Sequence, residues 1–320
     1  MGCLDIIRTK RGKRRKWSNW IYINFVSRAR ATYRLRLLVF VAYDLQSQNL
    51  FDAGLMAKMI PSYSLRDKEI HIWILRLDEL SFKVHQLAGL ISQEERRRAS
   101  RFHFDSDRNR FILCRGILRR LLGGYLGVPP ERLYFSYGAH GKPVLRNDLN
   151  TQLINFNISH SGEIGLFAFT HGREIGVDIE QLRYLTDMDL VARHFFAESE
   201  RDLLGTLPQS QKTEAFFNCW VRKEAFIKAT GSGLAWPLNG FEVSLSPGEP
   251  ARFLSVAGDP EVATRWTVID IRPGPGYVGA VVVQNQNPKI CDLSLIKWQE
   301  QATRYSGCSL DGNANPWSLG

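Results

Sequence analysis

Two acidic residues stand two positions apart in the segment Gly176–Glu180, which reads Gly-Val-Asp-Ile-Glu. If this segment is a strand, Asp178 and Glu180 point to the same face, and the intervening residues Val177 and Ile179 point into the core. Two like charges about 4 Å apart repel by about 4 kcal/mol at an effective dielectric of 20. A proton, a basic side chain or a cation must offset that repulsion, and hard carboxylate oxygens suit Mg2+. Taken alone the pattern is common, and two solvated acids at a strand end explain it better.

A third acid and a lysine share a helix face in the segment Trp220–Lys228, which reads Trp-Val-Arg-Lys-Glu-Ala-Phe-Ile-Lys. Trp220, Glu224 and Lys228 are four residues apart and therefore lie on one side of a helix. A surface Glu–Lys pair is the simple interpretation. The tryptophan in line with that pair indicates a partly buried face, where a third carboxylate and a cation could complete a site for a metal and a phosphate.

Three further segments contain residues of the kind that bind phosphates. Asn157–Gly162 places serine hydroxyls and an imidazole at a predicted strand end, so that it is either a phosphate cradle or a polar hairpin turn. In Gly138–Pro143 two glycines let the backbone approach a ligand and Lys142 can meet a phosphate, although such a segment is more often only a turn. In the basic run of residues 96–101, solvated charge is the default and one phosphate-binding arginine is the alternative. A Ser–His–acid triad is disfavoured, since no Gly-x-Ser-x-Gly turn is present.

These segments need a folded body, which we expect to begin near Ile70. Alternation predicts a strand at His71–Leu77, and Ser92 followed by Glu95 is a capping-box pattern that opens a helix. Either Asp105 or Asp107 is expected to cap the next helix, which has an apolar stripe at helical spacing. Further strands are predicted at 133–135, 154–158, 166–170, 175–179, 241–245, 266–271 and 277–283, and further helices at 185–204 and 212–230.

The order of these elements is strand, helices, strands, and then helices and strands again, which predicts an α+β fold. We expect a basic, poorly ordered N-terminal extension at 1–55, an N-terminal half at 68–172, a C-terminal half at 173–285 and a loose polar tail at 286–320. The hydrophobic fraction of 44% is that of a globular protein.

The net charge of +10 is concentrated at the N-terminus, because residues 1–55 hold 11 of the 42 Lys and Arg but 3 of the 32 Asp and Glu. This segment is either an arm that binds nucleic acid or another anionic surface, or a poorly ordered extension that precedes the folded body. Met56 and Met59 stand just before the first predicted strand, which favours the second interpretation. The apolar run Leu37–Tyr43 is too short to span a bilayer, which takes about 20 residues.

The chain has five cysteines, an odd number, and none forms a Cys-x-x-Cys pair. This pattern argues against a disulfide framework or a zinc site and favours a reducing compartment. With no evident signal-peptide cleavage site, the protein is expected to be cytoplasmic.

In this order and spacing, the segments resemble the Sfp-type 4'-phosphopantetheinyl transferase superfamily. The two most diagnostic motifs of that family, G-[IV]-D-[IV]-E and W-x-x-K-E-[AS]-x-x-K, stand intact at Gly176–Glu180 and Trp220–Lys228. The Gly-Lys-Pro and Asn-Ile-Ser-His-Ser elements precede them, and the resemblance runs from about His71 to Val283.

The resemblance implies an α+β fold of two similar α/β halves, related by a pseudo-two-fold axis with the active site between them. It implies transfer of 4'-phosphopantetheine from coenzyme A to a serine of an acyl or peptidyl carrier protein, with Mg2+ as the cofactor and release of 3',5'-ADP. By matching position, the Mg2+ ligands would be Asp178, Glu180 and Glu224. Contacts to coenzyme A would come from Arg98, Lys142, Ser159, His160, Lys223 and Lys228.

For the chemistry, we expect Glu224 to act as the base, either directly or through a metal-bound water, and Lys228 to protonate the leaving phosphate. The chain departs from the family at Glu95, where some members have a second basic residue for the 3'-phosphate of coenzyme A. Arg96 or Arg97 would have to compensate. The accepted carriers could serve polyketide, non-ribosomal peptide or fatty-acid synthesis.

Residues Leu185, Met188, Leu190 and Phe195 are either a carrier contact or core. We expect a monomer that acts without nucleic acid or membrane. Two alternatives remain open: a metal-dependent hydrolase that cleaves coenzyme A with water, and a nucleic-acid-binding protein that uses the basic arm.

Overall fold

Two larger sheets and two long helices frame the part of the chain that the computed structural model describes, which comprises residues 63–138, 141–146, 148, 152–231, 237–256, 260–284 and 288–292. In chain order the strands are β1 (Glu69–Arg76), β2 (Phe135–Tyr137), β3 (Pro143–Leu145), β4 (Ile154–Ser161), β5 (Ile164–His171), β6 (Ile175–Gln181), β7 (Phe241–Val243), β8 (Phe253–Val256), β9 (Trp266–Ile271), β10 (Tyr277–Gln284) and β11 (Lys289–Asp292). The α-helices are α1 (Val84–Ala88), α2 (Gln93–Ala99), α3 (Asp105–Leu126), α4 (Met188–Phe195), α5 (Glu198–Thr206), α6 (Gln209–Thr230) and α7 (Pro260–Arg265).

The elements stack in four layers, in the order helix, sheet, sheet, helix. The first sheet has the order β11-β1-β5-β4, and its outer face packs against the apolar side of α3. The second sheet has the order β6-β10-β9, and its outer face packs against α6. Isoleucine, leucine, valine and alanine side chains from β1, β5, β6 and β10 fill the space between the two sheets. The predicted α+β class of two α/β halves is therefore confirmed.

The two sheets meet where β4 runs beside β6, and β4 side chains bond to the β6 backbone there. The side-chain oxygen of Asn157 accepts a 2.9 Å hydrogen bond from the backbone N–H of Val177. The hydroxyl of Ser161 accepts a 3.1 Å hydrogen bond from the backbone N–H of Gln181. Because buried backbone N–H groups must find an acceptor, these side chains complete the unpaired edge of β6 and fix the two sheets against each other.

The helix ends follow ordinary capping chemistry. The capping box predicted for α2 is confirmed: the backbone N–H of Glu95 donates to Ser92 Oγ, and the Glu95 carboxylate accepts from the backbone N–H of Ser92. The cap predicted for α3 is wrong, because Phe104 stands at that position without a side-chain hydrogen bond. Asp105 and Asp107 lie in the first turn of α3 instead, where carboxylates still favour the positive end of the helix dipole.

Three predicted segments differ from the structure. The helical region predicted at 185–204 is two helices, because the chain turns extended at Phe196 and Ala197 between α4 and α5. β4 continues through Ser161, so the Asn-Ile-Ser-His-Ser segment is strand and the turn comes at Gly162. The tail predicted from 286 onward was expected to be loose, but residues 289–292 form β11 and pair with β1.

Two further predictions concern the N-terminal extension and the apolar residues offered as a carrier contact. The extension at 1–55 lies outside the described residues. Of the apolar residues offered as a carrier contact, Leu185, Met188 and Phe195 pack on the core of the second half, and Leu190 is exposed. Within the described ranges, no helix combines the length and apolarity that crossing a bilayer requires.

Candidate active site

The helix α6 lies directly on the face of β6 that carries the acids. Gly176 makes this possible, because a β-carbon at that position would overlap the backbone of Ala225 and Ala229 in α6. Asp178 and Glu180 follow on the same face of β6, while Val177 and Ile179 point into the layer between the sheets, as predicted. The glycine of the motif is thus required for packing, because it lets α6 approach β6 closely.

Asp178 is almost fully buried at 1% exposure and is held by two donors. Nζ of Lys228 lies 2.6 Å from its Oδ1, and Oγ of Ser159 donates to the same oxygen at 2.9 Å. The lysine also donates to Ser159 Oγ at 3.1 Å, so the three groups form a closed triangle. The second carboxylate oxygen, Oδ2, is buried and has no hydrogen-bond donor within reach.

Glu180 is completely buried and lies on the same face as Asp178. Oγ of Ser161 donates to Glu180 Oε2 at 2.9 Å, and the guanidinium of Arg183 lies 3.4 Å from that oxygen. Ser159 and Ser161 are two residues apart on β4, as Asp178 and Glu180 are on β6, so each serine serves one acid.

Three residues predicted to share a face of α6 lie on that helix at four-residue spacing, and one of them, Lys228, contacts an acid of β6. Glu224 is buried at 4% exposure, and the side chain of Lys228 one turn later is 25% exposed. Trp220, one turn earlier, is buried against the rings of Phe195 and Phe216. The packing of the tryptophan therefore helps to fix the rotation of α6 that brings Lys228 to β6.

The donor set at this site suits a hard divalent cation. Asp178, Glu180 and Glu224 supply carboxylate oxygens, the ligands that Mg2+ takes, and the buried Oδ2 of Asp178 lacks a hydrogen-bond donor. The carboxylates are not drawn together around one point here, since among the described residues the group of potential ligands that lies within 4.8 Å comprises other side chains. The ammonium of Lys228 offsets the charge of Asp178 in this arrangement.

His160 points to the opposite side of β4 from the two serines. Burial lowers the pKa of His160 well below its ordinary value of 6.5, and the positive charges of Arg110, Lys228 and Arg115 lower it further. The imidazole is therefore neutral at physiological pH.

Lys142 bonds to protein oxygens at the other end of β6. Its Nζ donates to the backbone oxygens of Ile175 and Ala229 at 3.3 and 3.1 Å and contacts Glu174 Oε2 at 3.2 Å. Burial lowers the pKa of Lys142, and the Glu174 carboxylate opposes that shift. A contact with coenzyme A would have to replace some of these bonds, and it stays a prediction.

Lys223 does not reach the site, and its predicted contact with coenzyme A is corrected here. The side chain is fully buried on the far face of α6, where Nζ lies 2.8 Å from Oε2 of Glu200. It also donates to the backbone oxygens of Leu238 and Phe241. One position along a helix turns the side chain by about 100°, so Lys223 points to a different side of α6 from Glu224, and here it anchors α5 and β7 to α6.

The residues of the basic helix α2 differ in their burial and in their contacts. Glu95 is buried and forms a 2.8 Å ion pair with Arg119 of α3, so the residue that departs from the family pattern is part of the core. Arg98 is half-buried with its guanidinium over the ring of Phe111, whereas Arg96 and Arg97 are exposed. The binding of a phosphate by Arg98 stays a prediction.

Sequence reasoning missed three residues of this site. Ser161 bonds Glu180, and its spacing of two from Ser159 could have revealed it. Arg110 lowers the pKa of His160 through its positive charge, and its place in the first turns of α3 gave no indication of that. Arg183 contacts Glu180 from the segment after β6, where no periodicity applies.

Comparison with family models gives two matches. Residues 174–282 match the 4'-phosphopantetheinyl transferase superfamily, and residues 80–171 match the N-terminal region of 4'-phosphopantetheinyl transferases.

Individual proteins extend the similarity over both segments. The 4'-phosphopantetheinyl transferase HetI of Nostoc sp. is 40% identical over 223 residues, which cover 70% of this chain and 91% of that protein. The 4'-phosphopantetheinyl transferase Sfp of Bacillus subtilis is 30% identical over 214 residues, which cover 66% of this chain and 90% of that protein. Among solved structures, the holo-[acyl-carrier-protein] synthase of Thermotoga maritima is 23% identical, with a TM-score of 0.29 over 36% of this chain and 64% of that one.

Proposed function

This chain belongs to the 4'-phosphopantetheinyl transferase family, and from that premise we propose how its own residues perform the transfer. Such an enzyme moves 4'-phosphopantetheine from coenzyme A to a carrier protein. We assign the reaction to the junction of β4, β6 and α6. The observation that carries this assignment is the triangle of Lys228, Asp178 and Ser159, where an acid of one family motif meets the lysine of the other.

The metal of the reaction is proposed to be Mg2+, held by Asp178, Glu180 and Glu224. The buried Oδ2 of Asp178, which no donor reaches, supports this choice together with the hard oxygen character of all three side chains. When bound, Mg2+ supplies positive charge that neutralises phosphate oxygens. The ammonium of Lys228 would then exchange its bond to Asp178 for a bond to phosphate.

The transfer itself forms one bond and breaks another at the β-phosphorus of coenzyme A. The carrier serine oxygen bonds to that phosphorus, and the bond from the phosphorus to the 3',5'-ADP oxygen breaks. A serine hydroxyl is a weak nucleophile at neutral pH and needs a base. The Glu224 carboxylate takes the serine proton, directly or through a water, and Lys228 Nζ donates a proton to the departing phosphate oxygen.

Other residues bind and orient coenzyme A. The hydroxyl of Ser159 stands beside Lys228 and can donate a hydrogen bond to a phosphate oxygen. His160, on the opposite side of β4, is proposed to donate a hydrogen bond to coenzyme A from there. Arg98 and Lys142 are proposed to meet the outlying phosphates, each by exchanging a protein contact for a ligand contact. Arg98 would serve the 3'-phosphate, because its guanidinium is half-buried over Phe111 and thus held in place.

We further propose that the enzyme acts as a monomer in the cytoplasm and needs neither nucleic acid nor a membrane. The near balance of charge beyond residue 55, with 31 basic and 29 acidic side chains, supports a body without a nucleic-acid surface. Deleting residues 1–55 should leave carrier loading intact. Loss of loading on that deletion would favour the alternative that the basic arm carries the function.

The test is the intact mass of an apo acyl carrier protein after incubation with this protein, coenzyme A and Mg2+. We expect the carrier to gain one phosphopantetheine, and we expect Glu224→Ala to abolish the gain. Consumption of coenzyme A without any gain on several acyl and peptidyl carriers would identify the hydrolase alternative instead. Full loading by Glu224→Ala would refute the role given to that acid.

A further inference from the structure

A second group of metal-ligand side chains lies on the first sheet, away from the acids of β6. The strands β1 and β11 run parallel, and their register makes His71 and Cys291 direct neighbours. Glu69 precedes His71 by two residues and therefore points to the same face. One ligand atom from each of these three side chains lies within 4.8 Å of the others. Nothing in the proposed transferase mechanism uses this cluster.

The distance between two ligand atoms of the cluster fits a tetrahedral metal centre. Two ligands bound to zinc at 2.0–2.1 Å stand about 3.4 Å apart at the tetrahedral angle. Nε2 of His71 lies 3.4 Å from Oε2 of Glu69. Oε1 of Glu69 faces Lys289 at 3.7 Å, and the backbone N–H of Arg66 donates to Oε2 at 3.1 Å, so the carboxylate is held from both sides.

The surroundings of His71 are those of a metal-binding histidine. Such residues use one ring nitrogen for the metal and bond the other to a neighbouring group that fixes the ring. Nδ1 of His71 lies 2.8 Å from the hydroxyl of Tyr125, and Trp73 Nε1 donates to that hydroxyl at 3.2 Å. Nε2 is thereby directed at Glu69.

We propose that Glu69, His71 and Cys291 bind a thiophilic divalent ion of the Zn2+ class and so fasten β11 to β1. The thiolate and the carboxylate neutralise the two charges of the ion, and water can take a fourth position. The cysteine loses its proton to solvent on binding. The sequence argued against a zinc site because it contains no Cys-x-x-Cys pair. The parallel pairing of β1 with β11, however, brings together His71 and Cys291, which are 220 residues apart in the sequence.

The chemical class of the ion follows from the donors. A thiolate and an imidazole favour zinc, cobalt and related transition metals, whereas the all-carboxylate site on β6 favours Mg2+. The two sites therefore differ in selectivity and can be titrated separately. Saturation of the carboxylate site with Mg2+ leaves the cysteine-containing site to report the transition metal.

The test is a Co2+ titration of the full chain, stripped of metal and then saturated with Mg2+, monitored by thiolate-to-cobalt charge-transfer absorption. We expect about one equivalent per chain, complete loss of the absorption in Cys291→Ser, and displacement by Zn2+. Tyr125→Phe keeps the ring packing but removes the bond to His71, and it should weaken binding about 10- to 100-fold. The thermal unfolding midpoint should rise with Zn2+ in the parent chain and not in Cys291→Ser.

Two controls separate this site from other ligands. The double variant Cys3→Ser/Cys308→Ser removes thiols outside the described residues, and it should keep the absorption. Glu180→Gln alters the β6 site and should keep it as well. Absorption that survives Cys291→Ser, or its absence from the parent chain, would overturn the proposal.

Discussion

Nζ of Lys228 lies 2.6 Å from Oδ1 of Asp178, and this contact joins α6 to β6 where the two sheets meet. The side chain of the lysine is 25% exposed and that of the aspartate 1% exposed, so a partly exposed cation meets a buried anion. Asp178 is further held by Ser159, whereas its other oxygen has no donor. The ammonium thus offsets the charge of Asp178, and in the proposed mechanism this pair would open when phosphate binds.

Removal of Lys228 should uncover the charge of Asp178. We expect Lys228→Ala to lower the free energy of unfolding by about 3 kcal/mol without Mg2+, because a buried carboxylate loses its ion pair. Mg2+ should restore part of that loss, since the metal replaces the ammonium. Loading of a carrier should fall about 10²- to 10³-fold.

Denaturant unfolding with and without Mg2+ measures the stability effect of Lys228→Ala. Lys212→Ala is the matched control, because Lys212 lies on the same helix and its contact is an exposed one with Gly205 O. A loss of stability that Mg2+ leaves unchanged would contradict the exchange of lysine for metal.

The close approach of α6 to β6 depends on Gly176. Gly176→Ala inserts a methyl group into the backbone of α6, and such overpacking costs about 1–3 kcal/mol. The helix must shift, so Glu224 and Lys228 move away from the acids and carrier loading should fall with stability. Gly205→Ala is the control, because nothing lies within 4 Å of a β-carbon there. Normal activity of Gly176→Ala would show that the site tolerates a displaced α6.

Lys223 and Glu200 form a buried ion pair in which each side chain is 1% exposed. Lys223→Met leaves Glu200 as an unpaired buried charge and should cost about 3–5 kcal/mol. Adding Glu200→Gln removes that charge and should recover much of the stability. The KM for coenzyme A should stay within about a factor of two in the folded Lys223→Met variant, because Lys223 pairs with Glu200 and does not contact the acids of β6.

Chemical denaturation and steady-state kinetics of the two Lys223 variants measure these effects. A large rise in the KM for coenzyme A with unchanged stability would return Lys223 to the binding site.

His160 should make the protein sensitive to acid. Its pKa is lowered in the folded state by burial and by Arg110, Lys228 and Arg115, so the unfolded chain binds the proton more readily. Stability then rises with pH up to the ordinary histidine pKa of about 6.5 and falls below it, since the unfolded state takes up the proton first. We expect His160→Gln to flatten the dependence of unfolding free energy on pH between about 5 and 6.5. An unchanged slope would place the acid sensitivity elsewhere.

Periodicity predicted the elements that position the site, and local spacing predicted which acids share a face. Asp178 and Glu180 follow the two-residue period of a strand, and Glu224 with Lys228 follows the four-residue spacing of a helix. The orientation of Lys223 also follows from helix geometry, because it lies one position before Glu224. The resemblance to the family predicted that Lys223 contacts coenzyme A, but in the structure Lys223 pairs with the buried carboxylate of Glu200.

Contacts between distant segments could not be predicted in this way. The pairing of β1 with β11 joins two short segments without a shared pattern, and the tail looked polar because β11 has only four residues. The contact of Arg183 with Glu180 depends on the path of a loop after β6. These contacts depend on tertiary packing, and no local spacing in the sequence indicates them.

The most direct test of the assigned site compares Glu224→Gln with Glu214→Gln. Both residues lie on α6, but Glu214 is partly exposed and pairs with Arg272 at 3.0 Å, outside the acidic site. The measurement is the single-turnover rate at which an apo carrier protein gains phosphopantetheine mass with coenzyme A and Mg2+ present. We predict that Glu214→Gln loads the carrier at the parent rate and that Glu224→Gln loads it at least about 100-fold more slowly. Equal rates for the two variants would contradict the placement of the active site at β6 and α6.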